Sequence, residues 1–353
     1  MRQSPGNHHK DIMSQPTSNE GKATKWSAYA VPTTIFLLIL GGATWLFSCT
    51  SQPAGDYGSS TVSQSPSNQT DSEPAPTTLE ASLKPAENWQ ANNHIHGLTV
   101  SPDNPQIIYI ASHSGLLKRS ATGQWFWVKE QYDYMGFVAH PTDANRFYAS
   151  GHPPEGGNLG FQVSQNQGVD WQEVSMPGVD FHAMAIAPSN PDTIYGLATS
   201  GRQGFFVSND AGQSWTQQPA SGLEAMPFSL NVDPLNPERV LATTQAGLYE
   251  SQDAGKTWSR MLSTATAPIT GLALQAEGDQ TIMLGYRISS TGAGLYRSMD
   301  DGQSWELWSD ELEDTVLYMA AAPTNAQVLY AVNENNAVFQ SQDGGKTWNE
   351  LDS

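Results

Sequence analysis

Cysteine is almost absent from this 353-residue chain. Cys49 stands alone, so neither an internal disulfide framework nor a thiolate metal cluster can form. Basic residues are also scarce, 16 against 35 acidic ones, and the formal charge is −19. A field of that sign repels a polyphosphate backbone, which excludes nucleic acid as a partner. Histidine does not occur after His182, and no long apolar run occurs after the first fifty residues. What remains is a modest apolar fraction of 38% with 31 Gly, 22 Pro and 11 Trp. That mixture suits many short strands and tight turns rather than long helices.

The one long apolar run lies near the N-terminus. No residue from Trp26 to Gly55 is charged, Ile35 to Leu40 is strongly apolar, and Lys22 and Lys25 precede it. A basic flank, an apolar run and then Leu46-Phe-Ser-Cys49 read as an export signal ending in a lipobox-like sequence, with Cys49 as the lipidation site. The other reading is an uncleaved anchor, since the run approaches the roughly 20 residues that span a bilayer. Both readings place the rest of the chain outside the cytoplasm, tethered to a membrane in the cell envelope. Residues 1–25 then form a cytoplasmic n-region and 26–49 the signal or anchor. Residues 50–87, rich in Ser, Thr and Pro, read as a disordered linker, because they cannot bury enough apolar surface to offset the entropy of ordering. A folded domain is expected over 88–353.

That domain is organised by a repeat. Four copies are nearly complete: Ser208-Asn-Asp210-Ala-Gly212-Gln-Ser-Trp215, Ser251-Gln-Asp253-Ala-Gly255-Lys-Thr-Trp258, Ser298-Met-Asp300-Asp-Gly302-Gln-Ser-Trp305 and Ser341-Gln-Asp343-Gly-Gly345-Lys-Thr-Trp348. A fifth, Ser164 to Trp171, carries Asn166 for the first Asp, and a sixth, Ser120 to Trp125, is two residues short. The chemistry is that of a turn. Glycine permits a positive φ, Asp accepts hydrogen bonds from turn amides, and Trp supplies buried area between neighbouring units. Short apolar strands ending in Pro, such as Met184-Ala-Ile-Ala-Pro188, precede each copy, and a second and third strand follow before it. Four strands per repeat describe a propeller blade, so the fold class expected is all-β, a single six-bladed β-propeller of four-stranded antiparallel blades. Asn88-Trp-Gln90 is open to pairing with the last blade.

The motif resembles the Asp box, or bacterial neuraminidase repeat, of sialidases, sortilin-type receptors and the photosystem II stability and assembly factor. The resemblance implies a structural role for Asp210, Asp253, Asp300, Asp343, Trp171, Trp215, Trp258, Trp305 and Trp348 on the face away from any ligand. Further strings, His94-Ile-His-Gly-Leu98, Ser150-Gly-His-Pro153, Gly157-Asn-Leu-Gly-Phe161 and Phe181-His-Ala-Met184, are similar to an uncharacterised family of exported bacterial propellers that carries the glycosyl hydrolase label.

Because the repeat sets the blade register, the starts of the six first strands can be compared. They read His94-Ile-His96, Asp133-Tyr-Met135, Asp180-Phe-His182, Met226-Pro-Phe228, Ile269-Thr-Gly271 and Thr315-Val-Leu317. The loops between second and third strands add His113 in blade one and His152 in blade two. His140, beside Pro141, maps to the opposite face. The expected ligand cluster is therefore His94, His96, His113, Asp133, Met135, His152, Asp180 and His182. Imidazole with carboxylate suits Zn, Fe or Cu, and a thioether tilts the set toward Cu. A polar channel mouth bonded to itself and to water is the plainer reading.

The function expected from these residues is a membrane-tethered, monomeric module that binds a metal, a small ligand or a protein at its top face. The alternative is a glycoside hydrolase with Asp133 and Asp180 as its carboxylate pair. A second alternative is an assembly factor of the photosystem II type. The arginine cluster of a sialidase has no counterpart beyond Arg202 and Arg287.

Overall fold

The computed structural model describes residues 80–351 apart from Thr291 and Glu313. Cys49, the apolar run and most of the linker lie outside the described residues. Among the described residues no helix is long and apolar enough to cross a membrane.

Six antiparallel sheets follow one another along the chain, five of four strands and a first of five. In five blades, and among the last four strands of the first, strands adjacent in sequence are adjacent in space, so these connections are hairpins. The first strands are Ile95–Val100, Asp133–Ala139, Asp180–Ile186, Pro227–Val232, Ile269–Glu277 and Val316–Ala322, and each touches the first strand of the next blade round a closed ring. The fold is the six-bladed propeller that the repeat predicts.

Burial follows radial position. Second strands such as Ile108–Ser112 and Val240–Thr244 are buried at every residue, because neighbouring blades cover both of their faces. The fourth strand of blade two, Gln172–Ser175, is largely exposed. The core is correspondingly shared between blades. One cluster joins Tyr195, Phe205 and Val207 of blade three to Leu230, Val240 and Tyr249 of blade four. Burying a side chain such as Phe205 stabilises by roughly 1.5–3 kcal/mol.

The repeated motif forms the turn between third and fourth strands. In blade three the Ser208 hydroxyl donates to Asp210 Oδ1 at 2.7 Å and accepts from the Gly212 amide at 2.8 Å. The Asp210 carboxylate then accepts from the amide and hydroxyl of Ser214. Ala211 and Gly212 both adopt positive φ, 54° and 86°. A Cβ on Gly212 would strike Phe161 of blade two. Trp215 packs on that same Phe161, ring centroids 5.1 Å apart, and its indole N–H donates to the Gly212 carbonyl. The turn is thus a docking piece that seats each blade on the one before it. Gly255 and Trp258 sit on Phe205 in the same way.

Ring closure is made by side chains. Tyr330 of blade six donates to the Pro105 carbonyl at 2.8 Å, and Asn336 donates to the carbonyls of Gln90 and Asn93. Trp89 packs against Trp125 with the rings tilted and their centroids 4.8 Å apart, and is buried in a cluster that includes Tyr330, Val332 and Val338. Asn88-Trp89-Gln90 therefore wedges between the first and last blades without joining the last sheet as a strand.

The ordered fold also begins earlier than the boundary expected at residue 88. Lys84–Pro85 forms a fifth strand on the outer edge of blade one, paired with Trp127 and Phe126. Glu80 is buried and reaches Lys118 Nζ at 3.0 Å. The composition of this stretch conceals its role, since what orders it is one buried ion pair and an edge, not an apolar run.

Candidate functional site

In every blade the first strand carries a register shift near its start. In blades one, two and three the shift falls at His96, Met135 and His182, between Ile95 and Gly97, Tyr134 and Gly136, and Phe181 and Ala183. A β-bulge turns one extra side chain out of the strand's alternation. The same device thus presents two imidazoles and a thioether at equivalent places. In blades four and six it presents Phe228 and Leu317 instead.

The strand ends complete the cluster. The amide of His113 donates to the His94 carbonyl at 3.0 Å, bringing both rings to the rim of blade one. Asp133 and His152 face one another across the first hairpin of blade two. The His96 and His113 rings stack with centroids 4.5 Å apart, and His94 meets them edge-on at 4.9 and 5.4 Å. His182 lies 6.1 Å from His96. Asp133 sits between blades, with Oδ1 at 3.8 Å from His96 Nε2 and Oδ2 at 3.8 Å from His113 Nδ1. Asp180 Oδ2 lies 3.8 Å from His152 Nε2. Seven of the eight residues singled out from sequence are linked by these contacts. Met135 is buried at its bulge without a described contact to the imidazoles.

None of these His–Asp separations is a hydrogen bond, which requires about 2.7–3.2 Å. His96 Nε2, Asp133 Oδ1 and Asp180 Oδ1 are buried with no hydrogen-bond partner. Burial, reinforced by His113, His94, His182 and His152, holds His96 well below the usual imidazole range. Burial likewise lowers His94 and His182, the latter despite the opposing pull of Asp180 and Asp133. It raises the carboxyls of Asp133 and Asp180 despite the facing imidazoles. The His96 to Asp133 approach is an ion pair only if His96 is protonated, and its lowered pKa argues against that. His96 Nε2, Asp133 Oδ1 and Asp180 Oδ1 are therefore desolvated polar atoms gathered in one mouth with no hydrogen bond among them. His96, His113 and Asp133 each offer a ligand atom, and these atoms all lie within 4.8 Å of one another. Chemically, the set can take up a cation, or use a raised-pKa carboxyl and a second carboxylate for acid and base work.

Two supporting groups escaped the sequence reading. Thr199 donates its hydroxyl to Asp180 Oδ2 at 3.2 Å, and the Gly157 carbonyl lies 2.8 Å from His152 Nδ1. Thr199 lies one residue before the end of the second strand of blade three and follows Tyr195 at the spacing by which His113 follows Tyr109 and His152 follows Tyr148, so the same blade alignment would have found it. His140 lies in a turn away from the cluster, its Nδ1 accepting from the Asp143 amide at 3.0 Å. Arg202 lies over Phe206 and Arg287 over Tyr296.

The architecture defines the class: a six-bladed propeller with an asymmetric His/Asp mouth. Comparison with known proteins places it among similar chains. Residues 160–287 match the family described as Sortilin, neurotensin receptor 3. An oligoxyloglucan-reducing end-specific xyloglucanase of Emericella nidulans is 27% identical over 163 residues, 39% of this chain and 19% of that one. The match thus spans about a fifth of that relative's length. Among solved structures, the GH74 enzyme of Niastella koreensis aligns with a TM-score of 0.54 and 16% identity, covering 72% of this chain and 45% of that one. A chain of a nidogen/laminin complex aligns with a TM-score of 0.51 and 11% identity, covering 70% and 92%. At such identities the structural likeness speaks for the propeller fold.

Proposed function

We propose that the channel mouth is a metal-binding site in which His96, His113 and Asp133 take a first-row transition-metal ion, Zn, Fe or Cu, making the propeller a ligand-binding module. The observation that carries this reading is the pair of buried, unpartnered atoms His96 Nε2 and Asp133 Oδ1, 3.8 Å apart and close to a third ligand atom on His113. Two ligand atoms each about 2.1 Å from a tetrahedral ion sit roughly 3.4 Å apart, so small side-chain rotations close the set. Buried acceptors are stable when paired or ligating and costly otherwise. Thermal unfolding of the metal-stripped full chain tests the proposal. Zn²⁺ or Cu²⁺ raises Tm by several degrees in the wild type and by clearly less in His113→Ala, which lacks one of the three ligands. An unchanged wild-type Tm with both ions would remove the proposal.

The xyloglucanase match supports a second reading, glycoside hydrolysis, more than it supports a purely structural scaffold. Asp133 and Asp180 then act as the carboxylate pair, one the acid with a raised pKa and the other the base or nucleophile. Turnover of xyloglucan oligosaccharides or aryl glycosides by the wild type, lost in Asp133→Asn and Asp180→Asn and retained after metal removal, would select this reading over the first. In either case the N-terminal run, through Cys49 or as an anchor, holds the propeller at a membrane in the cell envelope.

A further inference from the structure

We infer that the channel mouth is built for two metal ions rather than one, the second held by His152, Asp180 and His182. The inference rests on the metal reading above and extends it to a separate set of side chains. Five imidazoles and two carboxylates converge here, more than one transition-metal ion of four to six ligands can use. They also divide. His96, His113 and Asp133 form one group, bridging blades one and two. His152 and Asp180 form another at the junction of blades two and three, and His182 projects from the bulge two residues after Asp180 on the same strand.

The second group has the marks of a cation site in its own right. His152 Nδ1 lies 2.8 Å from the Gly157 carbonyl, and a carbonyl only accepts, so Nδ1 carries the proton. In the neutral imidazole the Nε2 lone pair then faces Asp180 Oδ2 across 3.8 Å, acceptor to acceptor. A proton shared between these atoms or a metal ion bound by both makes that approach favourable. An imidazole whose far nitrogen is fixed by a backbone carbonyl is also the usual arrangement of a ligating histidine. Asp180 is oriented in the same manner, with Oδ2 accepting from Thr199 while Oδ1 is buried without a partner. Its side chain is 3% exposed, so water does not readily relieve it. The His96 and His182 rings, one from each group, are 6.1 Å apart, which puts the two groups within one mouth. Paired divalent ions at such a mouth would supply positive charge to an otherwise acidic protein and would suit a ligand with a bridging oxyanion, phosphate or carboxylate in class.

Metal stoichiometry of the full chain in detergent, loaded with Zn²⁺ or Co²⁺ and freed of excess, tests this. The expected content is two ions per chain in the wild type, one in Asp180→Asn and one in His113→Ala, with folding checked by circular dichroism. Should Asp180→Asn not fold, His152→Gln replaces it with the same expectation. One ion in the wild type, still one in Asp180→Asn or His152→Gln and none in His113→Ala, would overturn the second site and leave the first intact. No ion in the wild type would overturn both. Two ions retained in the blade-three variants would show that the second ion lies elsewhere and overturn the assignment.

Discussion

His96 Nε2 and Asp133 Oδ1 face each other across 3.8 Å, both buried and neither hydrogen-bonded. Blade one supplies the first and blade two the second, so their approach is a product of ring packing. An arrangement of this kind is a cost to the folded state until something occupies it, since an unpaired buried polar group costs about 1–3 kcal/mol.

Asp133→Asn follows directly from that cost. In metal-stripped protein the neutral amide relieves the desolvated carboxylate, so the variant should be as stable as the wild type or more stable by about 1 kcal/mol. On adding Zn²⁺ the order should reverse, because the wild type alone gains a full ligand. Urea denaturation with and without the ion measures both. A variant that is less stable in the absence of metal would show that Asp133 is already satisfied.

Glu80 and Lys118 test where the domain begins. Their ion pair is buried at both ends, and removing one partner strands the other charge. Glu80→Ala should destabilise by about 3–5 kcal/mol, and a chain starting at residue 88 should lose a comparable amount against one starting at residue 80. Equal denaturation midpoints for the two truncations would contradict the role given to residues 80–87.

Gly212→Ala probes the seating of blade three on blade two. The position combines φ of 86° with contact against Phe161, so a methyl group meets both strain and overlap. The expected loss is roughly 1–3 kcal/mol. Gly278, also at positive φ but with open space around it, should lose less on the same change.

The repeat also carries an acid signature. Hydrogen bonds from the Thr347 amide, followed by those from the Thr347 and Ser341 hydroxyls, lower Asp343 from 3.8 to about 2, and the Ser214 hydroxyl leads the same effect at Asp210. A carboxyl depressed by folding stabilises above its unfolded pKa and loses that contribution as pH falls through the folded one. The Tm difference between wild type and Asp343→Asn should therefore be constant above about pH 5 and shrink between about pH 4 and pH 2. A difference independent of pH would assign the loss to packing alone.

The architecture was readable in the chain itself because its determinants are local. Serine, aspartate, glycine and tryptophan within eight residues make one turn, and four such turns with two degenerate copies at nearly even spacing leave little choice but six blades. The same ruler brought His94, His96, His113, Asp133, His152, Asp180 and His182 to one face, since equivalent positions in a propeller lie side by side. It could not show that His152 turns its Nε2 toward Asp180, that the Thr199 hydroxyl donates to that same carboxylate, or that Glu80 belongs to blade one. Those depend on bulges, rotamers and a buried ion pair between residues far apart in sequence. Only the closed ring brings such partners within a few ångströms, and only there does the balance of burial and charge decide whether the mouth is a polar rim or a seat for ions.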